Sequence, residues 1–410
     1  MNAKYSEVLC LVIIFCFMFL SYNFMIAPKF HYMGFIDNFD MYRFLLSASL
    51  FFITILFFMT VQNYFTKYIL SLLIIFVLIP NFISYAFQDG GVRIPIWSFL
   101  SLLITTAILK YAPKLELARL KTNDSSYLLW GLLLLCLSMV IGAHGIKFNL
   151  DAFLFNVYDI RRESRENNTF ISVYSYFWLA KVICPIAIIF ALEQKRKILL
   201  YSSILVLLYL FMTTGHKSVF LSILIIFAFY FGPSSYKDKL KTILKYSVLM
   251  FILLRLISWF FDFYMPESLL VRRLFFIPAL LNVYYFDFFQ NDFTYYSSSY
   301  LSLFLDYPYD RSIPQVIGIN YFNSEEMSAN NGYLSDGFAN LGDLGVFINI
   351  VFTSIFLKSF KDYNVEAKYS GLIFVVFYSI QGSAFSTVLF THGGILLLML
   401  IPFVLGRESA

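Results

Sequence analysis

Along the chain, apolar runs of about 20 residues alternate with short polar connections, and that is the length a helix needs to cross ~30 Å of hydrocarbon. Twelve such windows are read: 8–27, 44–61, 68–87, 95–111, 127–142, 171–192, 198–212, 218–232, 243–260, 344–357, 369–380 and 393–405. One interval breaks the rhythm. Residues 261–343 read as too polar to cross a bilayer and are far longer than an ordinary connection. They carry Arg272, Arg273 and Arg311, ten carboxylates and a dense set of Tyr and Phe. In a chain otherwise built of spans and short links, such a loop is where partners or chemistry are sought.

Composition agrees with the pattern. The chain is 60% hydrophobic and 13% charged, with mean hydropathy +0.74, against about 25% charged residues in a soluble domain. The expected fold class is all-α: a polytopic membrane helix bundle of about twelve transmembrane helices, one integral membrane domain over residues 1–410. The first window reads as an anchor, because its apolar core exceeds a signal h-region and Ala27-Pro28-Lys29 is a poor cleavage site. Cys10, Cys16, Cys136 and Cys184 lie within windows and form no C-x-x-C pair. They read as small buried apolar residues, with neither a disulfide frame nor a metal site implied.

Basic residues set the orientation. With the N-terminus inside, the inner side receives Lys4, Lys67, the group Lys110/Lys114/Arg119/Lys121, Lys195/Arg196/Lys197, Lys237/Lys239/Lys241/Lys245, Lys358/Lys361/Lys368 and Arg407. Every strongly basic short loop then falls inside, as the positive-inside rule requires. Both termini are expected to be cytoplasmic and the 261–343 loop to face outward. The type of cation differs by side. Inner Lys follows from topology; the outer Arg residues Arg43, Arg93, Arg161, Arg162, Arg165, Arg255, Arg272, Arg273 and Arg311 do not. Arg offers a planar fork that grips phosphate or carboxylate with two bonds, so the set points to an anionic ligand approached from outside. Pairing with outer carboxylates, or snorkelling to headgroups, is the plainer explanation for any one of them.

Three stretches carry candidate chemistry. Arg161-Arg162-Glu163-Ser164-Arg165-Glu166 precedes the sixth window, and reads either as a ligand group or as a solvated mixed-charge turn. Thr213-Thr214-Gly215-His216-Lys217-Ser218 forms the tip of a helical hairpin; it lacks the glycines of a P-loop. It reads as a Gly turn and helix start that presents His216 and Lys217. In the long loop, Pro266-Glu267 opens a short helix that carries Arg272 and is expected to end before Pro278. Tyr284, Tyr285, Phe286, Phe288, Phe289, Phe293, Tyr295, Tyr296 and Tyr300 follow. Aromatic faces suit sugar rings and Asn282, Asp287 and Asp292 suit hydroxyls, but an interfacial aromatic belt explains the rings as well. Residues 330–337, with Asn331 and Asp336, read as turns leading back to the membrane.

These residues resemble the Wzy-type O-antigen (oligosaccharide repeat-unit) polymerases of the bacterial inner membrane. The resemblance is carried by TTGHKS (213–218), RRLFFIPALLNVYYFDFF (272–289) and NGYLSDGFANLGDLGVF (331–347), with many spans, one large outer loop and cytoplasmic ends. The Arg-x10-Gly spacing of some members is absent. The resemblance implies a GT-C-like bundle and glycosyl transfer in the periplasm. A glycan on undecaprenyl diphosphate is the donor, a single lipid-linked unit the acceptor, and a chain-length regulator a partner. Arg272 and Arg273, with Asp287 or His216, are then expected to be catalytic. Arg161, Arg162, Arg165, Lys217, Asn282, Tyr285, Arg311, Asn331 and Asp336 are expected to bind substrate.

Cations aimed at the leaving diphosphate stabilise its growing charge, so neither a metal nor another cofactor is expected, nor a nucleic-acid partner. The general base stays open among Asp287, Asp336 and His216. Alternatives from other classes are a flippase for lipid-linked sugars, for which internal repeats would speak, and a lipid A-core ligase. A membrane glycosyltransferase using Asp37 and Asp40 is a third.

Overall fold

A computed structural model of the protein describes residues 3–114, 125–146, 149, 157–299 and 301–405; Arg119, Lys121, Tyr300 and Arg407 lie outside them. The described residues are helical, without a strand. In chain order the helices begin with α1 (Tyr5–Met33), α2 (Met41–Thr60), α3 (Tyr64–Phe87), α4 (Arg93–Tyr111) and α5 (Ser125–His144). Next come a short α6 (Val157–Glu166), α7 (Phe170–Glu193), α8 (Lys197–Thr214), α9 (Lys217–Phe231) and α10 (Tyr236–Phe261). The rest are α11 (Met265–Phe288), α12 (Ile313–Phe322), α13 (Tyr333–Asp362), α14 (Ser370–Gly382), α15 (Phe385–Leu389) and α16 (Gly394–Leu405). Among the described residues, ten helices are long and apolar enough to cross a membrane: α1–α5, α7, α8, α10, α11 and α13. The chain is a multi-pass helical membrane protein.

Nine of the twelve apolar windows fall on these ten helices, and 218–232, 369–380 and 393–405 fall on the shorter α9, α14 and α16. α11 is an addition. Its 24 residues lie in the interval read as too polar to cross, yet its best window has a mean hydropathy of 1.4. The sequence reading also ends this helix at Pro278, and the structure corrects that: the helix runs on to Phe288. The reason is a widened π turn over Ser268–Phe276, where the Ile277 N–H bonds back to Arg272 O. A wide turn relieves the clash between the proline ring and the preceding carbonyl, and absorbs the missing donor. The same device recurs at Tyr22–Ile26 before Pro28, Ile74–Leu78 before Pro80 and Leu179–Ile183 before Pro185. Proline inside these helices thus bends them without ending them.

Residues 330–337, read as turns, are corrected in part: α13 starts at Tyr333, and Asp336 sits in its first turn. α13 is itself broken. Leu341 (φ −141°) and Gly342 (φ +60°, ψ −142°) leave the helical region, so a short first arm folds against residues 343–362.

Two compact units result. Unit 1 holds Met1–Ala112, Tyr236–Ile355 and Ile380–Phe385; unit 2 holds Pro113–Ser235, Phe356–Ser379 and Ser386–Ala410. In unit 1 the central helix is α3, with 94% of its apolar window buried against 28% for α2. Glu7 and Lys67, both buried, pair at 2.5 Å and tie α1 to α3. α7 is the core helix of unit 2, 72% buried against 28% for α5.

Candidate functional site

In unit 1 the candidate residues of the 261–343 interval divide into buried and open groups. Asn282 and Asn331 are buried and spend their amides on each other. Asn331 Nδ2 lies 2.9 Å from Asn282 Oδ1 and 2.7 Å from Ser335 Oγ, and Asn282 Nδ2 donates to Asn81 Oδ1 at 3.0 Å. Asn81 in turn donates to Ser98. Satisfied networks of this kind rigidify a core. Asp336 accepts from Asn349 Nδ2 (3.0 Å), Asn340 Nδ2 (3.2 Å) and the Phe385 N–H (3.3 Å), so both its oxygens are engaged. Tyr285 is buried, and its hydroxyl holds Ala329 O at 2.9 Å. Phe286 and Phe289 are core residues, and Tyr284 stacks on Tyr321 with centroids 4.2 Å apart. The expected open aromatic platform is largely interior packing.

Arg272 is buried over the Phe30 ring at 4.2 Å, with Nε donating to Ser268 Oγ and Nη1 directed at Met33 Sδ. Arg273 and Arg311 are exposed. Asp287 is exposed and accepts from the Tyr321 hydroxyl at 2.6 Å.

In unit 2 the structure brings together two stretches that are 50 residues apart in sequence. Gly215 ends α8 in the left-handed region (φ +64°), which turns the chain and presents His216 ahead of α9. The loop expected around Arg161 is a helix, α6. From it Arg161 Nη2 donates to Gly215 O at 3.1 Å. Arg161 Nε is buried and has no hydrogen-bond partner. Arg165 stands four residues on, hence on the same helical face. The pKa of His216 is pushed down to about 4, by burial of its ring first and then by Arg161, Arg165 and Lys181. That order identifies the cations facing it. Its ring lies 6.0 Å from that of Tyr176, whose oxygen accepts from Thr214 Oγ1. Arg162 is exposed on another face of α6, and the side chain of Lys217 lies outside the described residues.

Lys181 is a residue the sequence reading passed over. It sits in the π turn of α7, with Nζ 3.3 Å from Ser379 Oγ and 5.2 Å from the Phe177 ring centroid. Among the described carboxylates none pairs with Arg161, Arg165 or Lys181. The signal was available: a lone lysine inside an apolar window is by default functional, because its burial is costly. Like charges four apart on a helix also cost about 0.2–0.5 kcal/mol. Arg161 and Arg165 hold that arrangement without an ion pair to a carboxylate among the described residues. Arg161, Arg165 and Lys181 all act electrostatically on His216, which thus stands in a positive field.

No protein-family model, curated protein or solved structure matches the chain.

Proposed function

We propose that the chain polymerises undecaprenyl-diphosphate-linked O-antigen repeat units, by glycosyl transfer at the periplasmic face of the bacterial inner membrane. The observation that carries this reading is the group formed by Arg161, Arg165, Lys181 and His216, cationic and without a carboxylate partner among the described residues. It suits the diphosphate of the donor. In the reaction an acceptor hydroxyl oxygen bonds to the anomeric carbon and the bond from that carbon to the diphosphate oxygen breaks. The electron pair stays on the diphosphate, and the hydroxyl proton passes to a base. Guanidinium groups fixed at the leaving diphosphate act on charge that grows in the transition state, where such contacts matter most. Arg161 suits this task because its unpartnered Nε is a donor already desolvated.

Of the three candidate bases, Asp336 is engaged on both oxygens and reads as structural. His216 is neutral at pH 7 and sits with the cations, where it serves as a hydrogen-bond donor to the diphosphate. Asp287, exposed and with a single described hydrogen-bond donor, is a candidate base that belongs to unit 1.

The test is the glycan profile of cells carrying Arg161→Ala or Arg165→Ala in the full chain. A lipid A-core bearing one repeat unit is the expected result. Loss of every repeat unit indicates a flippase or ligase instead, and a normal ladder in both variants removes the cationic group from the reaction.

A further inference from the structure

Unit 1 holds a cleft of about 280 Å³ between the link from α3 to α4 and the last turn of α11. Its polar lining is Asp89, Arg93, Asp287 and Gln290, and Val283 and Phe286 give it an apolar wall. The size is near the lower end of the ~300–1,000 Å³ usual for small-ligand sites, and an apolar wall with a few convergent polar groups is their usual make-up.

The polar groups have unused capacity. Asp89 Oδ1 takes Arg43 and Asn38, each at 3.2 Å, and its Oδ2 takes nothing from the described residues. Asp287 Oδ2 takes the Tyr321 hydroxyl and its Oδ1 takes nothing. The exposed Gln290 amide makes no hydrogen bond among the described residues. The cleft thus offers two carboxylate oxygens and one amide, which is both donor and acceptor. That set answers a ligand whose groups both donate and accept, as hydroxyls do.

Charge narrows the class. Two carboxylates at the cleft repel phosphate. Arg43 on Asp89 and Arg93 beside them disfavour an amine. The site is also held still: Tyr321 fixes Asp287 and is itself stacked on Tyr284. Burial, and then the neighbouring Asp287, raise the Tyr321 pKa, so its hydroxyl keeps the proton that it donates.

We infer that this cleft binds an uncharged saccharide through Asp89, Asp287 and Gln290. The inference deepens the polymerase reading by naming an acceptor-sugar site, and rests on it for that role. Gly91 supplies a clean probe: it lines the cleft, and a Cβ built on it meets nothing within 4 Å. A large side chain there fills the cleft without disturbing the core.

The experiment is saturation-transfer NMR on the full chain in detergent micelles, with the methyl glycosides of a hexose and of an N-acetylhexosamine as probes. Transfer to the sugar ring protons is expected in the parent protein. It should fall about tenfold in Gly91→Trp and in Asp287→Asn, the loss of one well-placed polar contact, and persist in Arg161→Ala. Thermal unfolding of each variant checks that the fold is kept. No transfer in the parent protein, equal transfer in Gly91→Trp, or displacement of the sugars by methylamine at equal concentration overturns the inference. If sugar binding follows this pattern while Arg161→Ala builds a normal ladder, the cleft stands and the polymerase reading falls.

Discussion

Gly337 and Gly345 lie backbone against backbone. A Cβ built on either would collide with the other's carbonyl group, although eight residues of straight helix would hold them about 12 Å apart. The break at Leu341 and Gly342 folds the first arm of α13 onto the second and makes this contact. The arm then delivers Ser335 to Asn282 and Asp336 to Asn349. The glycines of 331–347 therefore set the geometry of the buried polar network; that motif is an architectural one in this chain.

Gly337→Ala and Gly345→Ala should each destabilise the protein on the order of 3 kcal/mol, because the clash is with backbone and no side chain can yield. Gly131→Ala is the control: its Cβ meets nothing within 4 Å, and replacing a mid-helix glycine gains ~0.5–1 kcal/mol. Thermal unfolding in detergent reads both effects. Equal melting temperatures for Gly345→Ala and the parent would mean that the fold-back is absent.

Arg161→Lys should cut polymerisation a hundredfold or more. A lysine brings a point charge, without the paired donors that grip a diphosphate, and one strong transition-state contact is worth ~3 kcal/mol. Arg272, packed on Phe30 and Met33, gives the contrast. Arg272→Met keeps the volume and removes the charge, and should retain activity within about threefold, since a buried charge is often replaceable by an apolar group of similar size. The rate of ladder formation from lipid-linked units compares them. The opposite ranking would return Arg272 to the catalytic role that the sequence suggested.

The helices were legible because crossing a membrane demands long apolar runs, and nine of the twelve windows fell on helices long enough to cross. The continuation of α11 through Pro278 was not, since a proline reads as a stop unless the turn before it is known to be wide. Asn282, Asn331 and Asp336 looked like ligand groups because polar side chains near apolar ones resemble a site; only their partners Asn81, Ser335 and Asn349 reveal an interior network. The meeting of Arg161 with Gly215 is tertiary, and no periodicity announces it. Lys181 was legible in principle and was overlooked.

His216 predicts a pH dependence. Its folded pKa, near 4, lies below the ordinary 6.5, so between these values the unfolded chain binds more protons than the folded one. Stability should thus fall as pH drops from 6.5 toward 4, and be unaffected by this residue above that window. His216→Gln should flatten that limb. Inorganic pyrophosphate among Arg161, Arg165 and Lys181 should raise the His216 pKa by offsetting their charge, which NMR of the four histidines can follow. A His216 titration indifferent to pyrophosphate would count against an anion site.

Cysteine labelling tests the orientation, and with it α11. Arg272 reaches Met33 and Tyr284 reaches Gly34, so much of α11 lies beside the end of α1, where Tyr22 bonds back to Ile36 O. On the expected orientation, with α11 not crossing, both of its ends face outward. Cysteines at Ser234 and Lys361 should be shielded from an impermeant thiol reagent in intact cells, and those at Ser298 and Glu325 labelled. Glu325 is preferred to its neighbour Asn323, whose φ of +50° would strain a cysteine. Shielding of Ser298 alongside Ser234 would mean that α11 crosses, and would put the cleft on the inner face.

Catalysis should proceed without a divalent ion. At a leaving diphosphate the task of a metal is to hold two oxygens and offset charge that grows as the glycosidic bond breaks. Arg161 and Arg165 present guanidinium forks on one helical face, Lys181 acts on the same imidazole, and among the described residues no carboxylate pairs with them. A divalent cation placed among these groups would be repelled by three positive charges, so the arrangement that binds diphosphate also disfavours the metal. Purified protein supplied with lipid-linked repeat units should therefore polymerise at the same rate in excess chelator. Activity that vanishes with chelator and returns with Mg²⁺ or Mn²⁺ would sink this claim. It would also shift attention to carboxylates such as Asp89 and Asp287, whose unpartnered oxygens are the kind that hard cations take.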